Sequence, residues 1–306
     1  MKKKTRISKR KSIENLQGVL FTLPVIIGIA VFTYYQAAQS LYYSFFDYNG
    51  FSKMDFVGFK NFVNIFTHDK ETLVVFGNTF LYAVITVPLG LVLGYLTALL
   101  VNNKLKGINI FRALFYLPVV IPAVAAGVLW RDIFNSDYGV MNQIIGVFGL
   151  HSRFFEVASS SMPTLIFTTV WGVGGSMVIW LSAFKNIPVE LYESAKLDGA
   201  NAWHRLRYIT LPMSTPMIFF NLVTAVIGSL QTMSTMVIMG GGAGSAGKGE
   251  SNSLYFIVVK IYNDAFGRGG RMGYASAFGW ILFIIIGLLT FVLFKSNKWV
   301  QYAENN

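Results

Sequence analysis

The chain has 306 residues, of which 54% are hydrophobic, 16% aromatic and only 13% charged. Soluble domains carry about 25% charged residues, so this balance excludes an ordinary water-soluble enzyme and points to the membrane. Cysteine is absent, which removes disulfide frameworks and thiol chemistry, and the net charge of +11 would suggest nucleic acid only if the cations formed a stripe.

They do not. The uncharged windows are 15–46, 72–103, 113–130, 157–184, 208–247 and 272–294. A spanning helix needs about 20 apolar residues to cross roughly 30 Å of hydrocarbon, so six windows predict six crossings in an all-α membrane protein. With the N-terminus inside, the inner segments hold sixteen Lys/Arg against five acids, and the outer segments nine against nine. The surplus lies on one face, as the positive-inside rule requires, where it faces anionic lipid; no nucleic acid is expected as a partner.

In chain order, residues 1–16 form a basic tail with seven Lys/Arg. The apolar run after it is too long for a signal-peptide core and reads as an uncleaved first span over 17–40. Residues 46–72 form an outer connection whose aromatics suit the headgroup belt. The second span, 74–101, carries Pro88 and Gly90-x-x-x-Gly94, a spacing that lets helix backbones approach. The third, 110–132, carries Pro118 and Pro122; the carbonyls they free are tolerable beside protein or a wet cavity, which places this helix next to a pathway. A polar outer connection covers 133–161. The fourth span, 162–184, has a notch at its centre, Trp171-Gly-Val-Gly174-Gly-Ser176. The fifth, 214–239, places Gly228, Gln231 and Thr235 on one helical face. A Gln at mid-membrane depth needs a hydrogen-bond partner, either a neighbouring helix or a polar ligand in a wet cavity. The sixth, 273–295, is closed by Lys295 and Lys298, returning the C-terminus inside.

Catalytic patterns are not met. Gly242–Lys248 imitates the first seven places of a P-loop, but the next residue is Gly249 where the motif needs Ser or Thr for magnesium; a flexible outer loop is the expected structure. His68, His151 and His204 are scattered, so no metal-ligand spacing exists, and neither metal nor cofactor is expected. The carboxylate pairs Asp69/Glu71 and Asp132/Asp137 read as solvated charge near the outer interface. The six windows hold no ionisable Asp, Glu, Lys or Arg, groups that ion-coupled carriers usually need within the membrane. Energy for transport is therefore expected from elsewhere.

The most specific stretch is the inner connection 188–212. Pro188 suits a helix start, Leu191, Ala195 and Leu197 give an apolar strip with acids at its front, and Gly199 ends the helix. Trp203, Leu206, Tyr208 and Ile209 then supply a second apolar face. Such a pair of helices lies flat under the membrane. By physics alone it is equally a simple interfacial pair or a lever gripped by a soluble partner.

The spacing E-x-A-x-x-x-G-x(9)-I-x-L-P, met by Glu193, Ala195, Gly199, Ile209, Leu211 and Pro212, resembles the EAA loop of the integral-membrane permeases of binding-protein-dependent ABC importers. The segments Leu20-Phe-Thr-Leu-Pro24, Val57-Gly-Phe-Lys-Asn-Phe62, Phe111-Arg-Ala-Leu-Phe-Tyr-Leu-Pro118 and Gly273-Tyr-Ala-Ser-Ala277 are similar to the carbohydrate branch, in the maltose-type or glycerol-phosphate-type first permease. Ser194 stands where that family usually has Ala, and Ala243 where Pro is common. The resemblance implies a type I permease domain over 17–298 in a prokaryotic cell membrane. It implies a second, homologous permease, two ATP-binding subunits and an extracytoplasmic solute-binding protein as partners, with ATP hydrolysis outside this chain. It implies that Glu193, Ser194, Ala195, Asp198 and Gly199 form the coupling helix, and that the translocation site for a sugar or oligosaccharide falls on spans four and five, at Trp171, Gly174, Ser176, Gln231 and Ser234. The alternatives are an importer of another polar solute, such as a glycerol phosphoester, and a self-contained carrier.

Overall fold

The computed structural model describes residues 9–103, 106–233, 247–267 and 270–301. Ser234, Thr235 and most of the glycine-rich stretch before Gly247 lie outside them. The described residues are helical apart from one two-stranded hairpin, and they form two compact units.

The first unit comprises the chain up to Thr67 together with Asp264–Trp280. Its opening helix begins inside the basic tail: α1 (Lys9–Ile29) runs through a π-helical turn at Ala30–Tyr34 into α2 (Tyr35–Tyr43). The outer connection then folds as β1 (Phe46–Tyr48) antiparallel to β2 (Met54–Phe56), with Phe46 opposite Phe56 and Asp47 opposite Asp55. Asn49 organises the turn, its Oδ1 accepting the backbone N–H groups of Phe51, Ser52 and Lys53 at 3.0–3.2 Å, the Asx geometry that makes Asn a turn residue. Asp47, hydrogen-bonded to Lys53, holds that exposed ammonium above the ordinary lysine range. Helix α3 (Lys60–Thr67) follows, and the Asn61 amide donates to the Ser44 and Phe46 carbonyls at 2.9 Å. The aromatic connection thus folds as a hairpin followed by a short helix.

The second unit comprises His68–Asn263 and the chain from Ile281. It is built on α4 (Glu71–Val101), against which α8 (Ala158–Thr169), α9 (Gly174–Lys185) and α13 (Thr215–Leu230) pack. Its core joins Ala98 and Val101 of α4 to Met177, Trp180, Leu181 and Phe184 of α9. Between these elements lie α5 (Ile108–Val120), α6 (Ala123–Ile133), α7 (Val140–Gly146), α10 (Val189–Leu197), α11 (Ala202–Arg205) and α12 (Leu211–Met213). The chain closes with α14 (Ile257–Phe266) and α15 (Met272–Lys295).

Among the described residues, three helical stretches are long and apolar enough to cross a membrane unbroken: Glu14–Tyr43, Glu71–Val101 and Met272–Trp299. Up to six do so if each of three bent pairs is one span. The sharpest bend falls at the prolines of the third window: α5 and α6 meet at 98°. The cause is local. Pro122 has no N–H to donate, and it pushes Ile121 into extended backbone, φ −75° and ψ 126°, as residues before proline are. The fourth window bends by 44° at its glycines, and the fifth by 63° where Ser214 stands between Pro212 and Pro216.

A correction lies before α4. Asp69 and Glu71 are not merely solvated acids. The Lys260 ammonium, 1% exposed, sits 2.9 Å from Asp69 and 3.0 Å from Glu71, while Lys248 pairs with Glu71 at 2.8 Å. Asn78 donates to the Asn252 and Tyr255 carbonyls at 2.8 and 3.1 Å, and the Thr79 hydroxyl accepts the Ile257 N–H at 3.1 Å. Residues 247–260 are therefore tied to the start of α4, and the lysine of the false P-loop is part of that tie.

Candidate coupling loop and translocation notch

Residues 188–212 form a short helix followed by a broken one. Pro188 precedes α10 in extended backbone, φ −56° and ψ 132°, with Glu190 in the first turn and Lys196 in the last, charges placed to complement the helix dipole. The helix ends in a Schellman motif: Gly199 takes φ +79°, its N–H bonds the Lys196 carbonyl at 3.2 Å, and the Ala200 N–H bonds the Ala195 carbonyl at 2.8 Å. That pairing satisfies orphan carbonyls of the last turn and needs a left-handed residue after the cap. Nothing lies within 4 Å of where a Gly199 Cβ would be. Glycine is required here by its backbone angle rather than by crowding.

Asn201 caps the next helix, its Oδ1 accepting from the His204 N–H at 2.9 Å. Return to the membrane is through a π-turn, Leu206–Thr210, into α12. Two hydroxyl contacts hold this return: Tyr192 to Thr210 at 2.9 Å, and Tyr95 to Ser214 at 3.1 Å. Tyr192 and Ile209 also pack against the core that contains Phe184 and Ile187. The loop's inner edge is thereby fixed to α4 and α9, while Glu193, Ser194, Asp198 and Gly199 are exposed and Ala195 is half-buried. The apolar strip does not turn inward: Val189, Leu191, Trp203 and Tyr208 are exposed, and Leu197 is 90% exposed.

The notch residues divide among different neighbours. Trp171, in a 3₁₀ turn between α8 and α9, stands edge-on to Trp130 with centroids 5.3 Å apart. Gly174 is where α9 meets α5, since any Cβ there would overlap the Phe115 carbonyl. The Ser176 hydroxyl donates to the Val173 carbonyl at 2.9 Å and faces Gly94, where an added Cβ would overlap it. Gly90 meets nothing within 4 Å, so of the glycine pair in α4 only Gly94 makes a close crossing. Gln231 is not on a mid-helix face: α13 ends at Leu230, and Gln231 is its exposed C-cap, φ −102° and ψ 8°. The Trp180 indole N–H, buried beside this crossing, has no hydrogen-bond partner.

Sequence reasoning missed the two hydroxyl contacts and Lys260. The hydroxyls gave no signal, because a Tyr near a membrane interface is commonplace. Lys260 did give one. A lone cation in Leu254-Tyr-Phe-Ile-Val-Val-Lys-Ile261 must find a carboxylate if the run is buried.

Helices long and apolar enough to cross a membrane, with bends at proline and glycine, mark the chain as a polytopic membrane protein. The chain belongs to the binding-protein-dependent transport system inner membrane component family, whose model matches residues 87–301. It is 39% identical over 308 aligned positions to the probable ABC transporter permease protein YesP of Bacillus subtilis, covering 99% of this chain and 96% of that one. It is 30% identical to the lactose transport system permease protein LacF of Rhizobium radiobacter, covering 96% and 98%. The fold matches a bacterial alginate ABC transporter solved in complex with an alginate pentasaccharide-bound periplasmic protein. That match has a TM-score of 0.82 at 21% identity, over 96% of this chain and 98% of that one. Permeases of this kind are the membrane subunits of ABC transporters, and the chain is a transporter subunit rather than an enzyme.

Proposed function

We propose that the chain is one permease of a prokaryotic ATP-driven sugar importer, receiving a sugar or oligosaccharide from an extracytoplasmic binding protein and passing it inward by alternating access. It crosses the membrane six times, each bent helix pair forming one broken span, with both termini in the cytoplasm. A homologous second permease completes the pathway, and two ATP-binding subunits dock on the two inner loops. Glu193, Ser194, Ala195, Asp198 and Gly199 seat in a groove of one ATPase. Trp171, Gly174, Ser176, Gln231 and Ser234 border the sugar path.

The observation that carries the reading is the form of α10: a capped helix that turns Leu197 and Leu191 outward while Tyr192 ties it to the core. A merely interfacial helix pair has no need of a rigid link to the spans. Movement of an ATPase against α10 reaches α4 and α13 through Tyr192–Thr210 and Tyr95–Ser214.

The reading is tested by purifying the chain through a tag from cells that express its whole operon, with Gly199→Asp in parallel. A second permease and an ATPase are expected with the native chain, and loss of the ATPase with the variant. A chain that purifies alone and moves solute without ATP overturns the proposal in favour of a self-contained carrier.

A further inference from the structure

Where α5 and α9 diverge from their crossing at Gly174, a cavity of about 480 Å³ opens between them, with Arg112, Tyr116, Val178, Leu181, Ser182 and Lys185 in its lining. Its chemistry is divided. Its lining includes two cationic residues, Arg112 and Lys185, and two hydroxyl residues, Tyr116 and Ser182, beside the apolar Val178 and Leu181. Lys185 ends α9 and Arg112 lies in the second turn of α5, so both stand at the inner ends of their spans under the proposed orientation. Neither takes part in an ion pair among the described residues.

Arg112 is held in place. Its Nε and Nη2 donate to the Val101 carbonyl, the last of α4, at 3.1 and 2.7 Å, and its Nη1 reaches the Asn109 Oδ1 at 3.4 Å. A guanidinium has five N–H donors; three are so used, and two remain. Its charge is fixed at the rim by contacts to neutral groups, and nothing there neutralises it. A basic, apolar-walled gap between spans on the cytoplasmic side is the arrangement that receives an anionic headgroup, and the volume is in the range of a small-molecule site.

We infer that this cavity binds one anionic phospholipid of the inner leaflet. The phosphate bridges Arg112 and Lys185, and an acyl chain lies along Val178 and Leu181. The bound lipid would then sit against α9 immediately before the inner loop. The inference rests on the proposed orientation, and the two are separable by experiment.

The chain, with whatever subunits accompany it, is placed in nanodiscs of equal phosphatidylcholine and phosphatidylglycerol, then extracted in mild detergent. The retained lipid is counted by native mass spectrometry. The native chain is expected to keep phosphatidylglycerol in preference. Lys185→Gln should lower that preference roughly fivefold, the worth of one cation near an anionic surface. Val178→Trp, which fills the cavity and leaves both charges, should lower retention of the same lipid to background. Equal retention of the two lipids by the native chain, or unchanged preference in either variant, overturns the site. Displacement of the lipid by millimolar inorganic phosphate would make it a free-anion site and also overturns the lipid assignment. So would loss of a protein subunit from Lys185→Gln with lipid retention unchanged. The chain has no cysteine, so Asn186→Cys gives a single label for orientation. Its reaction with an impermeant maleimide from the outer side would defeat the orientation, whereas labelling from the inner side with no lipid preference defeats the lipid site alone.

Discussion

The Tyr192 hydroxyl lies 2.9 Å from the Thr210 hydroxyl, joining α10, which follows α9, to the π-helical turn that precedes α12. Thr210 is buried and Tyr192 partly so. Tyr192→Phe keeps the ring and removes one hydrogen bond, a loss of about 1 kcal/mol. The variant is expected to assemble normally and to melt slightly earlier. Solute moved per ATP hydrolysed in proteoliposomes should fall more than ATP hydrolysis itself. An unchanged ratio would mean that the loop does not transmit motion through this link.

Gly199 separates two reasons for placing a small residue at a turn. Its φ of +79° is costly for a side chain, and the space around it is open. Gly199→Ala should destabilise the loop by about 1–2 kcal/mol, and Gly199→Asn by less, because Asn tolerates the left-handed region. Retention of the ATPase on purification is the readout, with the order Gly, Asn, Ala. A crowding mechanism would instead penalise Asn more than Ala.

The three notch glycines are expected to respond differently. At Gly174 a methyl group overlaps a backbone carbonyl of α5, at Gly175 it meets Val119 at an ordinary 3.6 Å, and at Gly172 it meets nothing. Gly174→Ala should lower thermal stability by about 1–3 kcal/mol, the usual range for overpacking. Gly175→Ala and Gly172→Ala should be close to neutral in stability. If Gly172→Ala nonetheless weakens uptake with stability unchanged, that side of the notch faces the solute.

Much of this was legible in the residues, for identifiable reasons. Long uncharged windows located the apolar helices because hydrophobic length is a one-dimensional property. Gly199 was legible because a helix stop has a local chemical signature. Prolines 118 and 122 flagged a disturbed helix, but their spacing did not give the size of the bend, 98° between α5 and α6. Gln231 misled for a related reason. Helical periodicity places it on a face only while the helix lasts, and α13 stops one residue earlier. The Asp69–Lys260 pairing joins positions far apart in the chain, and sequence spacing carries nothing about such a meeting.

Gly94 and Ser176 offer a coupled test of how the second and fourth windows pack. A methyl on Gly94 would overlap the Ser176 hydroxyl, while the Ser176 Cβ would stand at a tight 3.1 Å. Gly94→Ala alone should therefore be destabilising. Adding Ser176→Ala removes the worst overlap and should recover part of the loss. A non-zero interaction energy in the double-mutant cycle, of about 0.5–3 kcal/mol, is expected from melting of the four proteins in detergent. Strict additivity would mean that the two helices do not meet there.

Lys260 provides the strongest expected effect on stability. Its ammonium is 1% exposed and contacts both Asp69 and Glu71, with Asp69 itself only 14% exposed. Removing one member of a buried pair leaves an uncompensated charge, at a cost of about 3–5 kcal/mol. Lys260→Met should release residues 247–260 from the start of α4, seen as faster proteolysis of that segment and a lower melting temperature. Replacing Asp69 by Asn in the same chain removes one of the stranded carboxylates, and Lys248 remains to compensate Glu71 at 2.8 Å. The double variant is therefore expected to be more stable than Lys260→Met alone. Equal stability of the two would mean that Asp69 is already well solvated, and that the lysine acts there mainly through its packing.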